Sequence, residues 1–226
     1  MVKTQDKIVI IGAGGHAREA LDIIEAIQLS DNSIECIGFV VDKQYGQPGT
    51  IVSGLPIMGD IQWLIEAKYR ITSVCAIGDA HLRFRMVKRL EGSGIIFGTL
   101  VHPNAVIARR CTIGQGCIVQ AGCVISNNTS IGRHVHLNLD CTVSHDVVLG
   151  DYVQISPGCH VAGWVSIGEG CFIGTGANII DRINIGQWSR IGAGSTIIKH
   201  VEPNTTIVGC PGKAIKKMPD NWHLSK

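Results

Sequence analysis

"IARRCTIGQGCIVQAGCVISNNTSIG", residues 107–132, carries three cysteines, Cys111, Cys117 and Cys123, each separated from the next by five residues. That spacing could mark metal ligands, a disulfide ladder or a structural repeat. The flanking sequence decides between them. Stepping by six from Val101 through Ile107, Ile113 and Val119 to Ile197 gives seventeen positions, and all are Val, Ile or Leu. Four residues after each stands a small or β-branched side chain in nearly every case. Six of the nine cysteines fall in this second series: Cys111, Cys117, Cys123, Cys141, Cys159 and Cys171. They read as small apolar core fillers, the usual behaviour of buried free Cys. Zinc sites use pairs two to four residues apart, which this series lacks.

A period of six matches neither a helix nor a plain alternating strand. It fits short strands wound round a triangular coil, with one aliphatic side chain per strand pointing inward. Three strands make a coil of 18 residues, so seventeen hexads give about 5.7 coils and a prism about 27 Å tall at the usual strand spacing. A narrow prism has no room for large rings, in keeping with an aromatic content of only 5% beside 28 glycines. Gly114, Gly132, Gly150, Gly168, Gly174, Gly186 and Gly192 follow the inward residue and suit corners that need a permissive backbone. Trp164 and Trp188 fall at outward positions, open on an unpartnered prism.

Bulk properties exclude several classes. The 226 residues suffice for one large or two small domains, and a net charge of +2 gives no argument for nucleic acid. No run of about 18 apolar residues suggests a membrane span. The opening "MVKTQDKIVIIGAGGHARE" runs directly into a strand and a glycine turn, unlike a signal peptide. A cytoplasmic location follows as the expectation, with reduced cysteines and no disulfide framework.

Residues 1–100 read as a separate unit, ahead of the repeat at 101–207 and a tail at 208–226. "KIVIIGAGGHAREALDIIEAI" is a strand, a glycine turn and an amphipathic helix; "ECIGFVVD" is a second strand ending at Asp42; "SVCAIGD" is a third, followed by the helix "AHLRFRMVKRLEG". This is a Rossmann-like α/β pattern with a small parallel sheet. The turn Gly12–Ala17 has the G-x-G-x-x-[GA] form between strand and helix, where free amides favour phosphate. A dinucleotide is the literal reading. Against it, only three or four strands fit, and Asp42 lies beyond the usual twenty-residue offset, so a nucleotide-sugar pyrophosphate is the better match. Gly14, Gly15, His16, Asp42, Gly78 and His81 form the expected substrate-binding set.

"GAGGHARE" and "LNLDCTVSHDVVLGDYVQISPGCHVAG", in this order, together with the tail "IVGCPGKAIKKMP", resemble the hexapeptide-repeat sugar acetyltransferases. Within these the chain is similar to the sialic acid O-acetyltransferase-like group, which includes nucleotide-aminosugar N-acetyltransferases. The resemblance covers almost the whole chain. It implies a left-handed parallel β-helix, a homotrimer, acetyl-CoA as co-substrate held between neighbouring prisms, and no metal. It further implies that His145 is the general base with Asp146 as its helper, that Asn138 lines the same site, and that Gln154, Gly163, Thr175 and Ala193 contact acetyl-CoA. A histidine is common at the Gln154 position. Lys213 in the tail is a further candidate for a CoA phosphate.

Acetyl transfer needs a base, and histidine suits neutral pH. His145 and Asp146 are sequence neighbours, which on a straight strand point to opposite faces, so the pair requires a bend such as a prism corner supplies. His134, His136 and His160 read as surface polar residues. Three alternatives stand beside N-acetylation of a nucleotide-linked amino sugar. One is O-acetylation of a sialic-acid-like sugar. The second is a zinc hydratase of the β-helical carbonic anhydrase type, opposed because no two histidines here show its H-x4-H spacing. The third is a non-catalytic scaffold, which leaves the glycine turn and the His145–Asp146 corner unexplained.

Overall fold

The computed structural model describes residues 6–31, 33–67 and 71–224. The N-terminal unit runs β1 (Asp6–Ile11), α1 (Gly15–Gln28), β2 (Ile34–Val40), β3 (Ile51–Val52), β4 (Leu55–Gly59), α2 (Ile61–Ala67), β5 (Thr72–Cys75), α3 (Ala80–Leu90) and β6 (Ile96–Phe97). These strands form one sheet in the order β3-β4-β2-β1-β5-β6, parallel except for the β3–β4 hairpin. The sheet thus has six strands rather than three or four. β3 and β6 are two residues long and form the two edges, and none of β3, β4 and β6 has the long apolar run that announces β1. Ala17, Ala20, Leu21 and Ile24 recur at helical spacing and bury one face of α1 on this sheet. Chain order reverses across β1, with β2 on one side and β5 on the other, so the strands' carboxyl ends open a crevice there.

The repeat follows as stacked two-residue strands. Leu100, Ile118, His136, Gln154, Phe172 and Arg190 pair in succession, eighteen residues apart. We call this column face one. Face two runs from Val106–Ile107 to Thr196–Ile197, and face three from Thr112–Ile113 to Asn184–Ile185. Each coil bonds to the next through its backbone, as in Ile118 N–H to Val135 O at 3.0 Å and Val124 N–H to Cys141 O at 2.9 Å. The interior holds the inward Val, Ile and Leu with Cys and Ala, and no aromatic ring. Truncating one of these, such as the fully buried Ile155, to Ala should cost about 2–5 kcal/mol. At the far end, strand Thr205–Val208 shortens the step on face one to sixteen residues and forms a hairpin with Lys213–Lys217.

Two sequence expectations are corrected in detail. The cysteines fill the core as expected, but they also donate: Cys123 to Asn138 O at 3.0 Å, Cys141 to Ser156 O at 3.2 Å, Cys159 to Gly174 O at 3.1 Å. Thr129 makes the same bond to Ser144 O at 2.9 Å, so a small donor in this slot finds a carbonyl of the next turn, while Val and Ala fill it elsewhere. The glycines after the inward residue do not supply positive φ. They permit close stacking, since a Cβ on Gly132 would lie 2.7 Å from the Asp151 amide and one on Gly168 would lie 2.6 Å from that of Gln187. Left-handed backbone occurs two residues later, at Gly116, His134, Tyr152, Gly170 and Trp188.

The N-terminal unit sits on face one and the corner between faces three and one. Leu100 and Ile118 join the core of α1 and β1, while Tyr152 and Trp188 pack against Phe84 of α3, at ring distances of 5.2 and 5.3 Å. Trp188 is therefore buried within the chain, whereas Trp164 remains half exposed. His134 and His136 are buried under the same unit rather than on the surface. Among the described residues, no helix is long and apolar enough to cross a membrane.

Candidate active site

His145 and Asp146 lie at the corner between faces two and three. Asp146 adopts φ 57°, and this left-handed step turns its carboxylate back towards the preceding ring. Because a carboxylate only accepts, His145 Nδ1–H donates to Asp146 Oδ2, at 2.9 Å, which leaves Nε2 as the free basic nitrogen. Asn128, one coil below, donates to Asp146 Oδ1 at 3.2 Å. These two bonds, His145 first, hold the Asp146 carboxyl below the usual carboxylate range.

Gly163 lies directly above on the next coil. A Cβ there would stand 2.6 Å from His145 Cε1 and 2.8 Å from Nε2, so only glycine accommodates the ring in this place. Among the described residues the Gly163 amide donates to no backbone carbonyl, while its own carbonyl accepts from Arg182 N–H at 3.0 Å. Trp164 packs edge-to-face on His145 with centroids 4.4 Å apart, and the Arg182 guanidinium covers the indole at 4.2 Å. The corner thus presents a partly exposed imidazole, oriented by a carboxylate and walled by an aromatic ring. The sequence marked Trp164 only as an outward ring, with no part in the site, and did not mark Arg182. Trp164 has φ 55°, and a tryptophan at a corner slot that glycine and short polar residues often fill was the available signal.

The second cluster lies at the carboxyl ends of β1 and β5. Gly12 has φ 110° and approaches the Ala76 carbonyl, so a side chain there is strained. Gly14 is the N-cap of α1, Gly15 begins it, and the space around Gly14 is open. His16 follows, and Gly78 faces it: a Cβ on Gly78 would lie 3.7 Å from His16 Cβ. His16 Nδ1–H donates to Glu19 Oε2 at 3.2 Å, so Nε2 accepts from His136 Nδ1–H at 2.9 Å. Among the described residues His136 Nε2 is buried beside the Cys75 backbone, with no hydrogen bond of good geometry. Burial lowers the His16 pKa and drives that of His136 well below the ordinary range. Both rings are neutral, and His16 offers the cleft its ring rather than a free nitrogen. His136 was missed because its role depends on the docking of α1 on face one, which no local pattern announces.

Asp42 lies two residues past β2 rather than ending it, caps the turn Lys43–Tyr45, and is occupied. Arg89 donates to both its oxygens at 3.0 Å, and the pair lines an open cavity of about 720 Å³ with Lys43, Asp60 and Gln62. His81 lies apart from the cleft, against Trp222 at a ring distance of 5.6 Å.

The remaining candidates divide. Thr175 and Ala193 are exposed at the corner between faces one and two, stacked through Gly194 N–H to Thr175 O at 2.8 Å. Lys213 is exposed and pairs with Val208, whose side chain abuts Gly192 of that corner. Asn138 occupies the same corner, but its amide donates inward to Ile155 O at 3.1 Å, and it does not join His145. Gln154 is buried on face one, where its side-chain oxygen accepts from Arg83 at 3.0 Å. The structure therefore gathers most candidates into three places, the His16 cleft over face one, the Thr175 corner and the His145 corner, and leaves Asp42, His81 and Gln154 outside them. The His145 corner is the one corner that face one does not reach. Among the described residues no three His, Cys, Asp or Glu side chains meet as a metal site would need.

Comparison with known proteins places these features. Residues 7–90 match the PglD N-terminal domain family, and residues 92–127 and 165–199 match the bacterial transferase hexapeptide family. The acetyltransferase domain of PglB from Neisseria gonorrhoeae FA1090 is 30% identical over 93% of this chain and 100% of its own, with a TM-score of 0.85. PerB from Caulobacter crescentus, solved with CoA and GDP-perosamine, is 29% identical over 93% of this chain and 97% of its own, with a TM-score of 0.85. WeeI from Acinetobacter baumannii AYE is 27% identical over 92% and 99%, with a TM-score of 0.83. No curated protein matches the chain. The prism is a left-handed parallel β-helix, as in these structures.

Proposed function

The chain belongs to the hexapeptide-repeat nucleotide-aminosugar acetyltransferases, and we propose that it transfers the acetyl group of acetyl-CoA to an amino group of a nucleotide-linked sugar, with His145 as general base. The observation that carries this reading is the His145–Asp146 pair at an open corner, with Nε2 free beneath Gly163. In the reaction His145 Nε2 takes a proton as the amine nitrogen attacks the thioester carbonyl. Asp146 keeps the imidazole in the required tautomer and balances the imidazolium. The Gly163 amide, which among the described residues bonds to no carbonyl, is assigned as donor to the oxyanion. Collapse breaks the carbon–sulfur bond, and His145 returns its proton to the departing thiolate, giving amide and free CoA. The PerB complex with CoA and GDP-perosamine supports the assignment of both ligands.

The nucleotide sugar is assigned to the turn Gly12–His16 with Gly78, where α1 presents its first amides. Acetyl-CoA is assigned to the Thr175–Ala193 corner, with Lys213 at its end. The cleft and the base lie on opposite sides of one prism, so the reading requires a second copy to bring His145 to the sugar. We assign a homotrimer, in which each cleft meets a neighbour's corner. Acetyl-CoA and nucleotide sugars place this activity in the cytoplasm. The test is a panel of UDP-, GDP- and CMP-linked amino sugars with acetyl-CoA, read as free thiol and as product. An amide product resists hydroxylamine, whereas an ester is cleaved and would assign O-acetylation instead. No thiol release with any amino sugar would refute the activity.

A further inference from the structure

We infer that Arg83 is a positioning residue whose buried charge is balanced by the diphosphate of the ligand in the Gly12–His16 cleft. The inference rests on the nucleotide-sugar reading of that cleft. Arg83 is fully buried between α3 and the prism. Its donors all reach neutral oxygens: Ile77 O at 2.7 Å, His134 O at 3.0 Å, Tyr152 O at 2.9 Å and Gln154 Oε1 at 3.0 Å. Among the described residues no carboxylate forms an ion pair with it.

Of the other titratable groups around it, Asp79 alone carries an opposite charge, and it acts at a distance without an ion pair. Asp79 of α3 is exposed and spends its carboxylate on the Leu82 amide. Burial raises the Cys75 and Cys117 thiols to about 11 and Tyr152 to about 12, so all three stay neutral. His16, His134 and His136 are held neutral, partly by Arg83 itself. Burial brings the Arg83 guanidinium down to about 10, which still leaves it charged at neutral pH.

An unpaired buried charge is costly, and hydrogen bonds to carbonyls offset only part of that cost. The charge has one near outlet. Arg83 also donates to Gly78 O, at 3.3 Å, and Gly78 faces His16 in the first turn of α1. An anion in that cleft meets helix amides in front and a fixed cation behind. A diphosphate fits both and leaves the bonds to Ile77 and Gly78 undisturbed.

The test titrates wild type, Arg83→Met and Arg83→Lys with UDP, GDP and acetyl-CoA by calorimetry between pH 7 and 9. Arg83→Met should bind the nucleoside diphosphates about tenfold more weakly or worse, with acetyl-CoA affinity unchanged. A buried lysine loses its proton readily. Arg83→Lys should therefore bind diphosphate near pH 7 and weaken as pH rises, while wild type stays flat. Equal diphosphate affinity in Arg83→Met and wild type overturns the inference. So does an Arg83→Lys protein with no pH dependence, which decides the matter should the Met variant not fold. Wild type that binds neither UDP nor GDP overturns the inference, while the nucleotide-sugar reading itself fails only if the amino-sugar panel gives no turnover.

Discussion

The ring of His145 occupies the space that a side chain at Gly163 would fill: a Cβ there would lie 2.6 Å from Cε1. Gly163 is not in a left-handed conformation, so alanine is acceptable to the backbone and unacceptable only to the histidine. Gly163→Ala should therefore keep the fold while displacing the ring. We expect kcat to fall by about 10²-fold, the scale of a 1 Å misplacement. Unchanged kcat in a folded Gly163→Ala protein would show that the ring's position does not matter.

Acid should weaken the junction between the two units. Burial, with Arg83 and Arg133, lowers His134 to about 4, against 6.5 when unfolded. Below 6.5 the unfolded chain takes up a proton that the folded chain refuses, so stability falls as pH drops from about 6.5 to 4. The slope is at most about 1.4 kcal/mol per pH unit for this one group. His134→Asn, which tolerates the left-handed φ of 55°, should flatten the dependence of the denaturation midpoint on pH. An identical slope in the variant would remove His134 as the cause.

Gly14 has open space around it, so Gly14→Val should fold and project into the cleft. We expect a raised KM for the nucleotide sugar and an unchanged KM for acetyl-CoA. At sugar concentrations well below the raised KM, mixed oligomers of Gly14→Val with His145→Ala should turn over faster than either protein alone, because one copy keeps a cleft and another keeps a base. Verified mixed oligomers without recovery would contradict a site shared between copies.

The hexads were legible because their information is local: each inward aliphatic residue repeats the same contact one coil later. The bend at Asp146 was legible too, since neighbours on a straight strand cannot pair. Long-range relationships were not. Nothing periodic announces that Trp188, His134 and His136 lie beneath the N-terminal unit, or that Arg83 reaches across to Tyr152 and Gln154. The corner glycines were read for their dihedral freedom, whereas the coils need them for close approach. Asn138 and Gln154 matched family positions, yet local bonds to Ile155 and Arg83 hold their side chains inward.

The thiols offer a check on that packing. Cys210 is exposed, Cys111 is half buried, and the other seven are buried. Burial raises Cys171 to about 12, which removes its thiolate at neutral pH. A disulfide reagent should modify one thiol rapidly in the native protein, and Cys210→Ser should abolish that phase. Several fast thiols in the folded protein would contradict the buried ladder.

The central claim is that His145 takes the proton in acetyl transfer. Its most direct test compares wild type with His145→Ala, measuring binding of both ligands by calorimetry and thiol release at saturating concentrations of each. The account predicts near-normal binding of the nucleotide amino sugar and of acetyl-CoA, with kcat lower by about 10²–10⁴-fold. Turnover equal to wild type by a His145→Ala protein that binds both ligands would contradict it.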